Sequence, residues 1–219
     1  KQFSSYNRAS VSPDRPGWFA DSDGVFCLRT EVNDGQTEWV LMDAEGPGAI
    51  TKIWAVCFYY GLQDTTGANI KIYLDGNDQP VIHQNFFELV KGQSFVSPPL
   101  ADETTRAGNL YLPIPFEKHC KVTMDKKVFY NNINNRKYPP STPVRSFTMQ
   151  EFGDTKALRD RVASELAAPT TVSFGNVQSR RQLAGGETVR LSLPAGSHAV
   201  SQLAVKIHRA EDTAQALRS

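Results

Sequence analysis

The sequence predicts an all-β chain built as a jelly-roll β-sandwich, and three observations carry that reading. From Val25 to about Gln150 the 219-residue chain is a succession of short runs dense in β-forming residues, punctuated by Gly, Pro, Asn and Asp. No helical period runs through that region. The run "NIKIYLDG" sets apolar Ile70, Ile72 and Leu74 on one face and Lys71 and Tyr73 on the other, as a strand does. Many short strands of this kind form two packed antiparallel layers, and about eight of them close a jelly roll.

In chain order, residues 1–24 are rich in Ser, Pro, Asp and Gly and carry Tyr6, Trp18 and Phe19, which reads as an ordered N-terminal loop. The strand-like runs follow: "VFCLRTE", "TEWVLMD", "AITKIWAVCFYY", "NIKIYLDG", "NLYLPIPF", "CKVTM", "KVFYNNI" and "VRSFTM". In "NIKIYLDG", Ile70, Ile72 and Leu74 share one face, and Asp-Gly closes the run as a turn. The run from Lys52 to Tyr60 is apolar on both alternations, so its second face needs cover from a loop, a second domain or another subunit. "DTKALRDRVASELAAP" is the one good helix, with Asp154 placed to cap it, Leu158, Val162 and Leu166 in one stripe, and Pro169 ending it. The resulting division is an N-terminal loop (1–24), a first jelly roll (25–150), a connector helix (151–169) and the start of an incomplete second jelly roll (170–219).

That last assignment comes from an internal similarity. "DAEGPGAITKIW" at 43–54 runs in step with "SLPAGSHAVSQLA" when Ala49 is set against Ala199, and "TEWVLMD" and "ETVRLSL" lead into the two segments. Shared composition between two strand-turn-strand units gives the same pattern without common descent. If the repeat is real, three strands open a second unit that takes about eight to close.

The composition excludes several classes. With 24 basic and 23 acidic residues and no long run of either sign, the chain carries no electrostatic footprint for nucleic acid and no polybasic membrane patch. No stretch approaches the roughly 18 apolar residues of a membrane helix. The three cysteines (Cys27, Cys57, Cys120) suit no disulfide framework, and His83, His119, His198 and His208 are scattered singly, so no metal site and no cofactor are expected. The opening "KQFSSYNR" has no export signal, which fits a mature secreted or periplasmic form and also a cytoplasmic protein.

Three groups of residues bear on chemistry. Asp43 and Glu45 lie two apart, on one face and about 7 Å apart if extended, inside the range of a glycosidase carboxylate pair. The following Gly-Pro-Gly gives the same segment a purely architectural purpose as a turn. Tyr6, Asn7 and Arg8 with Trp18 combine an aromatic, an amide, a guanidinium and an indole in irregular backbone, a set suited to stacking on and hydrogen bonding to a sugar. "NNINNR" at 131–136 offers amides for a polyol, although Asn favours turns and a turn is the expected form. "AGGE" at 184–187 precedes a strand-like run and reads as a hairpin turn.

"SSYNR", "EGPGAITKIW", "IYLDG" followed by Pro80, "LYLPIPFEKHCKV" and "YNNINNRKYPPSTPVRSFT" together resemble, in order, the bacterial proteins of glycoside hydrolase family 172. The resemblance implies a double jelly roll, assembly as a trimer or hexamer, and action on furanosides: difructose dianhydrides, α-D-fructofuranosides or D-arabinofuranosides. It implies a retaining mechanism whose two glutamates lie in the second jelly roll, in segments of the type "WGEGDE" and "GTGTEDYYG". Neither string occurs here, so the resemblance assigns no catalytic residue to this chain and leaves the second jelly roll to a companion chain or further polypeptide. It makes Gly46, Pro47 and Gly48 a structural turn. The family's opening motif has Asp where this chain has Asn7, and "ASVSPDRPGW" is an insertion, which bears on substrate choice. The alternative expectations are a non-catalytic carbohydrate-binding module that uses Tyr6, Arg8 and Trp18, or a structural assembly subunit.

Overall fold

The computed structural model describes residues 1–6, 14, 27–56, 67–128, 130–168, 177–184, 186–193, 195–197, 200 and 203–206. The chain divides into two compact units, Lys1–Ala168 and Pro169–Ser219. The first unit holds β1 (Gln2–Ser4), β2 (Arg29–Asn33), β3 (Gln36–Glu45), β4 (Gly48–Val56), β5 (Asn69–Leu74) and β6 (Ile82–Asn85). After helix α1 (Phe86–Val90) come β7 (Ala101–Thr104), β8 (Ala107–Leu110), β9 (Ile114–Phe116), β10 (His119–Met124), β11 (Asn131–Lys137), α2 (Met149–Asp154) and α3 (Lys156–Ala167).

These strands make two antiparallel sheets, one ordered β1-β11-β4-β8-β7 with β9 also on β4, the other ordered β2-β3-β10-β5-β6. β8 and β9 lie along successive parts of β4, at Ile53–Val56 and Gly48–Ile50, and act as one interrupted strand. With edge strands β2 and β7 set aside, eight strands remain in the orders 1-11-4-8 and 3-10-5-6, which is jelly-roll connectivity. The core between the sheets is apolar, with Met42, Ile50, Ile53, Ile70, Ile72, Leu110, Phe116, Val122 and Ile133 fully or almost fully buried.

The expected alternation holds in β5, where Ile70, Ile72 and Leu74 enter the core. Elsewhere the structure departs from the sequence reading. The N-terminal segment opens with a strand, β1, because Gln2–Ser4 pair along β11. "NNINNR" is strand β11 and not a turn: with β1 on one side and β4 on the other, its backbone groups are paired, and Ile133 anchors it in the core. "VRSFTM" forms no strand; Phe147 is buried, its backbone N–H is bound to Pro115 O at 2.9 Å, and α2 begins at Met149. The five-residue α1, too short to show a helical period, packs Phe86, Leu89 and Val90 into the core.

Asp154 ends α2 and caps nothing. The Thr148 side chain caps α2, accepting from Glu151 N–H at 3.1 Å, and α3 starts from Thr155 with no side-chain cap bond. The α3 stripe of Leu158, Val162 and Leu166 is exposed.

In the second unit, Glu187 N–H donates to Ala184 O at 3.1 Å with Gly186 at φ 82°, so the "AGGE" turn forms. The described residues of this unit form no strand, and Val189, Leu191 and Leu193, alternating along the chain, are all exposed.

Candidate functional site

Three carboxylates of the second sheet, Glu31, Glu38 and Asp43, are engaged with counter-ions, and Glu45 at the end of β3 is exposed. On the sheet's outer face Asp43 meets Arg29 at 2.5 Å and His119 Nε2 at 2.6 Å, while Glu31 meets Arg29 at 2.6 Å and Lys121 at 2.8 Å. Asp43 is therefore tied to its neighbouring strands and is no partner of Glu45 in an acid/base pair. Burial works to raise its pKa, but the hydrogen bonds from Arg29 and His119 outweigh it and hold the carboxyl below the ordinary range.

Glu38, buried on the same sheet, accepts from Lys71 Nζ at 2.6 Å and from the Thr123 hydroxyl at 2.6 Å, with Tyr73 and Asn33 beside them. Its carboxyl is lowered too, burial again opposing and Lys71 prevailing. Glu31 is lowered chiefly by the hydrogen bond from Lys121. Burial pushes the Cys120 thiol up, which removes it as a thiolate nucleophile at neutral pH.

The residues that carry the sequence motifs meet at one end of the sandwich. Asp75 Oδ1 accepts from the backbone N–H groups of Lys118 at 2.7 Å and His119 at 3.2 Å, and Oδ2 accepts from the Ser146 hydroxyl. Ser146 Oγ in turn accepts from Glu117 N–H at 2.8 Å. Gly46 N–H donates to Lys118 O at 2.7 Å, and Tyr138 N–H to Pro47 O at 2.9 Å. A side chain at Gly46 would put its Cβ 2.6 Å from Glu117 O, and one at Gly48 would put it 2.7 Å from Arg136 O and from the Phe116 ring. "EGPG", "LDG", "FEKH" and "VRSF" are thus one architectural joint.

"SSYNR" is tied to the "YNNINNR" stretch by Ser5 N–H donating to Asn131 O at 3.1 Å and Asn131 N–H to Ser5 Oγ at 3.1 Å. The chain matches the family described as "GH172 first beta-sandwich domain" over residues 1–155. The chain belongs to glycoside hydrolase family 172. Comparison with curated proteins finds no match.

Of the sugar-binding set expected from the sequence of this family 172 chain, Tyr6 follows β1 and is 53% exposed. Asn7, Arg8 and Trp18 lie outside the described residues.

The strand register joins the amides of "NNINNR", offered by the sequence for a polyol, to residues that the sequence reading did not place in a site. Partners across a sheet share a face, and one row runs Ser4, Asn132, Trp54, Asn109, Asp102 across the first sheet. A second row joins Gln2, Asn134 and Lys52. The Lys52 ammonium lies 5.2 Å from the centre of the exposed Tyr111 ring. Beyond the β1–β11 ladder, Ser5 N–H still donates to Asn131 O at 3.1 Å, and the carbonyl of the neighbouring Tyr130 accepts from Val56 N–H at 2.9 Å. The signal that pointed here was the apolar content of both alternations of β4, where Ile53 and Ala55 enter the core and Trp54 and Val56 stay half-buried on the outer side.

Proposed function

We propose that this chain is part of a retaining glycoside hydrolase acting on furanosides, namely fructofuranosides, difructose dianhydrides or D-arabinofuranosides, with both catalytic glutamates on a second jelly roll outside residues 1–219. The observation that carries the reading is the match of residues 1–155 to the first β-sandwich domain of family 172. A glycosidase general acid needs a carboxyl raised toward neutral pH, whereas Glu31, Glu38, Asp43 and Asp75 are all lowered by fixed partners. The first jelly roll then supplies scaffold and sugar contacts, through Tyr6, Asn7, Arg8 and Trp18. The exposed alternation of Val189, Leu191 and Leu193 supports the need for further polypeptide, from a companion chain or from subunits of a trimer or hexamer. The proposed compartment is extracellular or periplasmic.

The test is a screen of α-D-fructofuranosides and D-arabinofuranosides for release of reducing sugar, with this chain alone and with polypeptide carrying a family 172 second jelly roll. Cleavage only in the second arm supports the proposal. No cleavage of any furanoside in either arm overturns it. The amide-rich outer face of the first sheet favours a second reading, a module that binds glycan without cleaving it; that reading expects affinity in both arms and hydrolysis in neither.

A further inference from the structure

Three polar side chains on the outer face of the first sheet have unused hydrogen-bonding groups. Asn132 and Trp54 are register partners in one row, and Asn134 sits one strand step away, opposite Lys52. All three are half-buried, and among the described residues neither the two side-chain amides nor the Trp54 indole N–H has a hydrogen-bond partner. Half-burial costs these groups part of their hydration without replacing it, unless something binds them.

The neighbouring groups are already committed and fix the shape of the face. Asn109, 6% exposed, donates from Nδ2 to Thr104 Oγ1 at 3.1 Å and accepts from the Tyr111 hydroxyl at 3.4 Å. It is a positioning residue that, with Lys52 near the ring, orients Tyr111. The two aromatics and the two open amides therefore occupy a prearranged surface. Strand spacing makes Asn132 and Asn109, on either side of Trp54, about 10 Å apart, room for more than one sugar ring.

We infer that this face is a glycan-binding site for a neutral oligosaccharide laid across the strands, with Trp54 and Tyr111 stacking on sugar C–H surfaces and Asn132 and Asn134 binding hydroxyls. A planar amide presents donor and acceptor side by side, and vicinal hydroxyls satisfy both. A protein partner covering the same face would have to pair two amides and an indole N–H at its dry centre, together with the Lys52 charge, which interface cores are depleted in. The assignment of furanosyl units, as against any other neutral sugar, rests on the proposed function.

The test is calorimetric titration of the 219-residue chain with a fructofuranosyl, an arabinofuranosyl and a glucopyranosyl trisaccharide, repeated on Trp54→Ala, Tyr111→Ala and Asn132→Ala, each checked for an unchanged melting midpoint. Trp54→Ala is expected to weaken binding about tenfold or more, as truncation of an aromatic anchor does, and Asn132→Ala a few-fold. Should Trp54→Ala fail to fold, Tyr111→Ala and Asn132→Ala carry the comparison. Unchanged affinity in the folded variants overturns the inference, as does a Trp54→Ala change that dissociates an oligomer and leaves sugar affinity alone. Hydrolysis measured separately keeps the two claims apart. Furanoside cleavage with no Trp54 effect sinks this site alone, whereas Trp54-dependent binding of only the glucopyranosyl sugar keeps the site and sinks the furanoside reading.

Discussion

The Asp75 carboxylate accepts a hydrogen bond from the Lys118 backbone N–H at 2.7 Å, joining the turn after β5 to the turn before β10. The same carboxylate holds His119 N–H and the Ser146 hydroxyl. Asp75→Ala leaves those donors without their charged acceptor, and the expected loss is about 2–4 kcal/mol of unfolding free energy. Denaturant unfolding with an unchanged slope measures it, and a midpoint equal to that of the parent chain contradicts the role assigned to this joint.

The ion pair of buried Glu38 with half-buried Lys71 gives a second expectation. Removing one partner leaves the other charge in a poorly hydrated site, which costs about 3 kcal/mol, whereas replacing both with apolar residues of similar size costs much less. Lys71→Met should therefore destabilise more than the Glu38→Leu, Lys71→Met double variant. A double-mutant cycle reads this directly, and simple additivity of the two single changes would refute it.

Acid sensitivity follows from the direction of the carboxyl shifts. Glu31, Glu38, Asp43 and Asp75 all have folded-state values below the unfolded ones. Their contribution is fully present above the unfolded values, near pH 4, and is lost as pH falls through the lower folded values. Stability measured between about pH 5 and pH 2 should fall steadily, and more shallowly in Asp43→Asn, which also releases Arg29 and His119. An equal slope in that variant would show that Asp43 does not contribute.

Glycine positions separate close packing from open space. Gly48→Ala drives a Cβ against Arg136 O and the Phe116 ring and is expected to prevent stable folding of the sandwich. Gly153→Ala, in α2 with nothing within 4 Å of the added carbon, should be neutral or stabilising by up to about 1 kcal/mol. Thermal melting of the two variants side by side checks both, and the reverse ordering would show that the Gly-Pro-Gly turn is not tightly packed.

The parts of the fold legible in the sequence were those whose local preference agrees with their place in the sandwich. β5 was readable because Ile70, Ile72 and Leu74 are β-branched or aliphatic and all face the core. β11 was read only in part, its first residues falling in "KVFYNNI" while "NNINNR" was taken for a turn, because its inward positions include Asn131 and Asn135, the latter with a buried Oδ1 that has no hydrogen-bond partner. The two flanking strands override the turn preference of asparagine, and nothing local announces them. The grouping of the outer-face residues escaped for a related reason. Trp54, Asn109 and Asn132 are far apart in the chain, and only the register of β4 with β8 and β11 makes them neighbours.

On the proposed function, the first jelly roll of this family 172 chain holds sugar while chemistry requires glutamates on another jelly roll. Incubating the 219-residue chain with an arabinofuranoside and a fructofuranoside, and assaying both bound and released sugar, addresses it most directly. Saturable binding is expected, with no reducing sugar released until a second jelly roll is supplied. Sustained hydrolysis by residues 1–219 alone would contradict it.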